Sequence, residues 1–172
     1  MEYTHICHPF RPIYNEDSEI LILGSLPSVK SREQGFYYGH PQNRFWKVMA
    51  AVMEEKRGCV CNVPRTIEEK RSFLLANHIA IWDVIASCDI KGSSDSSIKN
   101  AVANDISGIL AGSRIQQVYA NGKTAGRLYM RYIYPDTKRE VTVLPSTSPA
   151  NAAWKLEKLV REWADKIADN IV

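Results

Sequence analysis

Four short apolar runs rich in β-branched and aromatic residues recur along this 172-residue chain: EILILG (19–24), IAIWDVI (79–85), RIQQVYAN (114–121) and VTVL (141–144). Helix-period stretches separate them. Pro41–Glu55 carries Phe45, Met49, Val52 and Met53 at helical spacing, with proline early, where its missing N–H costs little. Thr66–Glu69 reads as a capping box that opens a helix to about Asn77. Ser97–Leu110 repeats Ile98, Val102, Ile106 and Leu110 at intervals of four, and Gly122–Tyr132 and Ala152–Ala168 complete the helical set. Strands alternating with helices predict βαβ units and a mostly parallel sheet covered on both faces. The length suits one domain over 1–172 with a core large enough to need no staples.

In such a sheet the ligand crevice lies beyond the carboxyl ends of the strands. The peptides found there are GSLPS (24–28), ASCDIKGSSDSS (86–97), NGKTAG (121–126) and PSTSPAN (145–151), the segments richest in Ser, Thr, Asn and Gly. They are expected to converge. The first continues into VKSREQGFYYGHPQNRFW (29–46), a loop dense in aromatics, amides and cations.

Several chemistries are disfavoured by what is missing. No G-x-S-x-G accompanies Ser25. Asn121–Thr124 looks like the tail of a phosphate loop, but Gln117 stands where its first glycine belongs, and G-x-G-x-x-G is also missing. Cys7, Cys59, Cys61 and Cys88 have no paired C-x-x-C spacing, so reduced thiols and no metal are expected. The N-terminal residues have no apolar signal core, and no run reaches the ~18 apolar residues of a membrane span, which predicts a soluble cytoplasmic protein without a membrane partner. The net charge of +3 permits an anionic partner without demanding one.

A crevice of flat aromatics, amides, hydroxyls and backbone N–H groups suits a nucleobase swung out of a strand. Aromatic faces stack on bases, amides read base edges, and hydroxyls and helix N-termini hold phosphates. GSLPS, GFYYGHPQNRFW, WDVIASCDIKGSSDSSI, ANGKTAG and LPSTSPAN, in that order from about Ile13 to Ala164, resemble the uracil-DNA glycosylase superfamily. The chain is most similar to its hypoxanthine-DNA glycosylase branch, and also resembles the mismatch-specific uracil/thymine glycosylases.

That resemblance implies a three-layer α/β/α sandwich around a short, mostly parallel sheet. It implies a monofunctional glycosylase that hydrolyses the N-glycosidic bond of a deaminated base in DNA, without cofactor. Mismatch-specific relatives place a water-positioning asparagine where this chain has Leu26. The hypoxanthine branch shares that gap and uses the asparagine of its HPxN segment, which is Asn43 here. On this reading Asn43 is catalytic, although asparagine is also a favoured helix cap. Tyr38 stacks on the base, and Gly24, Ser25, Leu26 and Asn121 bind its edge. Lys30, Lys123, Arg127 and the Ser146–Thr147–Ser148–Pro149–Ala150–Asn151 loop meet DNA. The protein is expected to act as a monomer. Uracil or thymine excision, and a non-catalytic nucleic-acid-binding module, are the competing readings.

Overall fold

The computed structural model describes residues 1–171. In chain order its elements are β1 (Thr4–Cys7), β2 (Ile20–Gly24), α1 (Val29–Gln34), α2 (Phe45–Arg57), α3 (Ile67–Ala76), β3 (Ile79–Asp83), β4 (Ile85–Ile90), β5 (Lys99–Ala103), α4 (Ile106–Ala111), β6 (Gln117–Asn121), α5 (Lys123–Tyr132), α6 (Tyr134–Thr137), β7 (Val141–Leu144) and α7 (Leu156–Ile167). The four expected strands pair as one wholly parallel sheet in the order β3-β2-β6-β7. A second, antiparallel sheet runs β1-β4-β5.

The strand sequences explain the layering. Ile20 and Ile22 of β2 join one core with Phe45, Met49 and Met53 of α2, Leu74 of α3 and Leu159 and Trp163 of α7. Leu21 and Leu23, pointing the other way, join a second core with Ile106 and Ile109 of α4, Tyr129 of α5 and Ile85, Cys88 and Ile90 of β4. A strand buried on both faces must be apolar throughout, which is why EILILG reads as an unbroken run rather than an alternating one. The result is the expected α/β sandwich, with helices on both sides of the parallel sheet. No described helix is long and apolar enough to cross a membrane.

Three expectations need correction. Ser97–Leu110 is not one helix: a 3-10 turn at Asp95–Ser97, strand β5 and helix α4 share it. Its apolar interval of four is also twice the strand period, so spacing alone could not decide. Asn104 makes the break, donating from Nδ2 to the carbonyls of Asp83 (2.8 Å) and Ile85 (3.1 Å), and Asp105 then caps α4. The run 79–85 is divided between β3 and β4 at Val84. Helices α2 and α7 begin at Phe45 and Leu156, later than Pro41 and Ala152. The capping box at Thr66 and Glu69 is present as expected.

Candidate active site

The carboxyl ends of β2, β3 and β6 open onto a cavity of about 470 Å³. Register sets its inner wall: Gly24 at the end of β2 lies opposite Asp83 at the end of β3. Gly24 must be glycine there, because a Cβ would lie 2.3 Å from Asp83 Oδ1 and 3.2 Å from the Tyr38 hydroxyl. Asp83 is only 3% exposed. Its Oδ2 accepts from His8 Nε2 at 2.7 Å, and the imidazole is equally buried, with Nδ1 held against the Phe10 backbone.

A hydrogen-bonded chain crosses the cavity wall. The Thr147 hydroxyl donates to Asn43 Oδ1 (2.9 Å) and accepts from Asn121 Nδ2 (3.0 Å), while Thr147 N–H donates to Asn121 Oδ1 (3.0 Å). Asn43 Oδ1 also accepts from Phe45 N–H (2.9 Å), so the residue caps the start of α2 as well. Two donors fill the oxygen's two lone pairs. The Asn43 NH2 group makes no hydrogen bond among the described residues, and Asn43 lines the cavity. What this side chain offers a ligand is therefore its amide nitrogen.

Arg44, the next residue, braces the loop that carries Thr147. Its guanidinium donates to the carbonyls of Thr147 (3.3 Å), Ser148 (2.7 Å), Asn151 (3.2 Å) and Trp154, and its backbone N–H donates to Thr147 O (3.1 Å). One rigid fork thus ties the PSTSPAN loop to the start of α2. Nothing in the sequence singled out Arg44 or His8 for these roles. Their partners are backbone carbonyls and a residue 75 positions away, and neither leaves a motif.

Tyr38 adopts a left-handed backbone (φ 53°), a conformation that costs an aromatic residue about 1–3 kcal/mol and is tolerated where surroundings enforce it. The enforcing contacts are the Tyr38–Phe45 stack (centroids 4.0 Å, planes 20°), Gly39 N–H on the Ser31 hydroxyl, and Trp46 Nε1 on the Tyr37 carbonyl. Phe45 covers one face of the Tyr38 ring, which leaves the other for a ligand. The Tyr38 hydroxyl is buried without a hydrogen-bond partner of good geometry. Desolvation, reinforced by the charge of Asp83, holds that phenol far above its usual pKa, against a smaller opposing effect of Asn121.

Of the residues expected from sequence, Gly24, Ser25, Leu26, Lys30, Tyr38, Asn43, Asn121 and 146–150 line this cavity. Thr147 is fully buried and its hydroxyl is occupied by the two asparagines. Asn151 braces its own loop through Ser146 O. Lys30 lies near Glu33 (3.4 Å) on the exposed face of α1. Lys123 borders an adjoining cavity of about 480 Å³ that shares Ser25, Asp95, Asn121 and Ser146 with the first. Arg127 lines neither. Asp95 also lines the main cavity and accepts weakly from Ser25 Oγ (3.3 and 3.4 Å). Among the described residues no group of three or more His, Cys, Asp or Glu side chains could hold a metal ion.

Residues 11–168 match the Uracil DNA glycosylase superfamily. The chain is 36% identical over 145 residues to a hypoxanthine DNA glycosylase of Methanosarcina acetivorans, covering 83% of this chain and 86% of that one. It is 32% identical over 160 residues to a hypoxanthine DNA glycosylase of Methanosarcina barkeri, covering 91% and 94%. A solution NMR structure of a candidate uracil DNA glycosylase from Methanosarcina acetivorans superimposes with a TM-score of 0.78 at 32% identity, covering 96% of this chain and 98% of that one.

Proposed function

This chain belongs to the uracil DNA glycosylase superfamily, and we propose that it is a DNA glycosylase that removes hypoxanthine from deoxyinosine. The observation that carries the reading is Asn43: its oxygen is committed to Thr147 and Phe45 and its amide nitrogen is left to the cavity. Leu26, in the first loop of the same cavity, has no polar group with which to hold water.

The reaction follows from these parts. Flipping deoxyinosine out of the duplex costs a few kcal/mol and exposes its glycosidic bond. The free face of Tyr38 receives the purine. The C1′–N9 bond breaks with its electron pair moving onto the base, and the sugar becomes oxocarbenium-like. Asn43 Nδ2–H donates to a water oxygen and fixes its position against C1′. An amide cannot take the water's proton, so that proton leaves after the C1′–O bond has formed, and the departing base anion is protonated. Positioning of this kind is worth several kcal/mol without a strong base. The loop 146–151 and Lys123 take the flanking phosphates. The protein acts as a monomer closing on one flipped nucleotide.

The test is alkaline strand scission after incubation with a duplex carrying one deoxyinosine, beside matched uracil and xanthine duplexes. Scission at inosine, reduced about 100-fold or more in Asn43→Ala with DNA affinity retained, is expected. Scission at uracil alone would replace hypoxanthine with uracil as the substrate. Binding without scission at any base would reduce the protein to a recognition module.

A further inference from the structure

The mechanism above leaves one buried charged group on the cavity wall without a task. Asp83 is 3% exposed and lines the cavity, and its two oxygens are in different situations. Oδ2 is held by His8 Nε2 at 2.7 Å, and the main-chain carbonyl of Asp83 is held by Asn104 Nδ2 at 2.8 Å. Oδ1 receives no hydrogen bond among the described residues and lies against Gly24, whose missing Cβ makes the space for it. An acceptor oxygen on a cavity wall with no protein donor is open to a ligand that brings an N–H.

We infer that Asp83 reads the Watson–Crick edge of the flipped base by accepting its N1–H, and that His8 is the positioning residue that aims the carboxylate. The inference rests on the glycosylase reading above. Deamination of adenine turns N1 from a lone pair into an N–H. The Oδ1 acceptor therefore meets a donor in hypoxanthine and another acceptor in adenine. A buried site built around such a bond rejects the analogue lacking it by as much as ~10⁴-fold. Guanine also carries N1–H, so this contact separates hypoxanthine from its parent base and not from guanine. A carboxylate does nothing to stabilise the negative charge of a departing base. Its place on this wall is thus explained by selection rather than by rate.

Asp83→Asn tests the assignment with little change of shape. The His8 Nε2 donor would hold the amide oxygen and turn the NH2 toward the cavity, so the site would present a donor where it had an acceptor. Binding is measured to duplexes carrying non-cleavable 2′-fluoro-deoxyinosine or 2′-fluoro-deoxyadenosine. Wild type is expected to favour inosine at least ~10-fold, and Asp83→Asn to lose that preference or invert it. His8→Leu should weaken the preference and His8→Gln, which can still donate, should restore it. An unchanged inosine-to-adenosine ratio in folded Asp83→Asn overturns the assignment. So does an equal loss of turnover on every substrate, which would make Asp83 a base for the water instead. If the variant does not fold, wild type is tested with a deoxyinosine analogue whose N1–H is replaced by C–H. Binding at least ~10-fold weaker supports the contact, and equal binding overturns it. Wild type that releases no base from inosine at all refutes the glycosylase reading, a result separate from any change at Asp83.

Discussion

The Thr147 hydroxyl donates to Asn43 Oδ1 at 2.9 Å across 104 positions of sequence. The same oxygen accepts from Asn121, so one buried hydroxyl joins the loop after β7, the end of β6 and the start of α2. It also decides what Asn43 presents. With its oxygen satisfied, the amide cannot flip without stranding both the hydroxyl and Phe45 N–H.

Thr147→Val keeps the shape and removes the hydroxyl. The Asn43 oxygen then loses a donor and the Asn121 amide loses an acceptor, a loss of about 1–3 kcal/mol for buried groups left unpaired. Asn43 is no longer locked, so base release should fall about 10- to 100-fold while DNA affinity changes little. Thr147→Ser retains the hydroxyl and should recover most of both. Single-turnover scission and urea denaturation of the two variants decide it: equal effects of Val and Ser would mean the hydroxyl is immaterial.

Arg44→Lys keeps the charge and discards the fork. A single ammonium cannot serve the carbonyls of Thr147, Ser148, Asn151 and Trp154 together. The expected result is a loss of about 2–3 kcal/mol in stability, with hydrogen-exchange protection falling selectively in the loop after β7 and at the start of α7. Weaker DNA binding should accompany it. Uniform loss of protection across the sheet would show instead that Arg44 supports the whole fold rather than that loop.

How much of this was open to reading depends on the range of each interaction. EILILG announces a buried strand because burial on both faces forces an apolar composition, a local property. Thr66 and Glu69 announce a helix start because their bonds close within three residues. The loops at strand ends carried the chemistry because the topology of a parallel sheet sends them to one side. Ile98–Leu110 misled because an interval of four fits both periods, and Asn104, which decides the matter, acts on carbonyls of another strand. Asp83 stood inside the run 79–85, and nothing marked it as the end of a strand or as half of a buried pair, since His8 arrives from the N-terminal segment. Thr147 resembled its half-buried neighbours Ser146 and Ser148 in composition, and only the fold turns it fully inward.

Asp95 sets a dependence on pH. The residue as a whole is exposed, yet enough protein surrounds its carboxyl for desolvation to push it above the usual range; the charge of Asp83 adds to this, and the Ser25 hydroxyl opposes it. A carboxyl raised in the fold favours folding while protonated. Its contribution is fully present below the unfolded value of about 3.9 and is lost as pH rises through the higher folded value. Asp95→Asn cannot ionise and should lack this term. The stability of the variant relative to wild type should therefore increase with pH across that window and then level off. Urea denaturation of both proteins at closely spaced pH values from about 3.5 to 7 checks it. Parallel curves would mean that solvent screens Asp95 completely, and a relative gain for the variant at low pH would reverse the sign argued here.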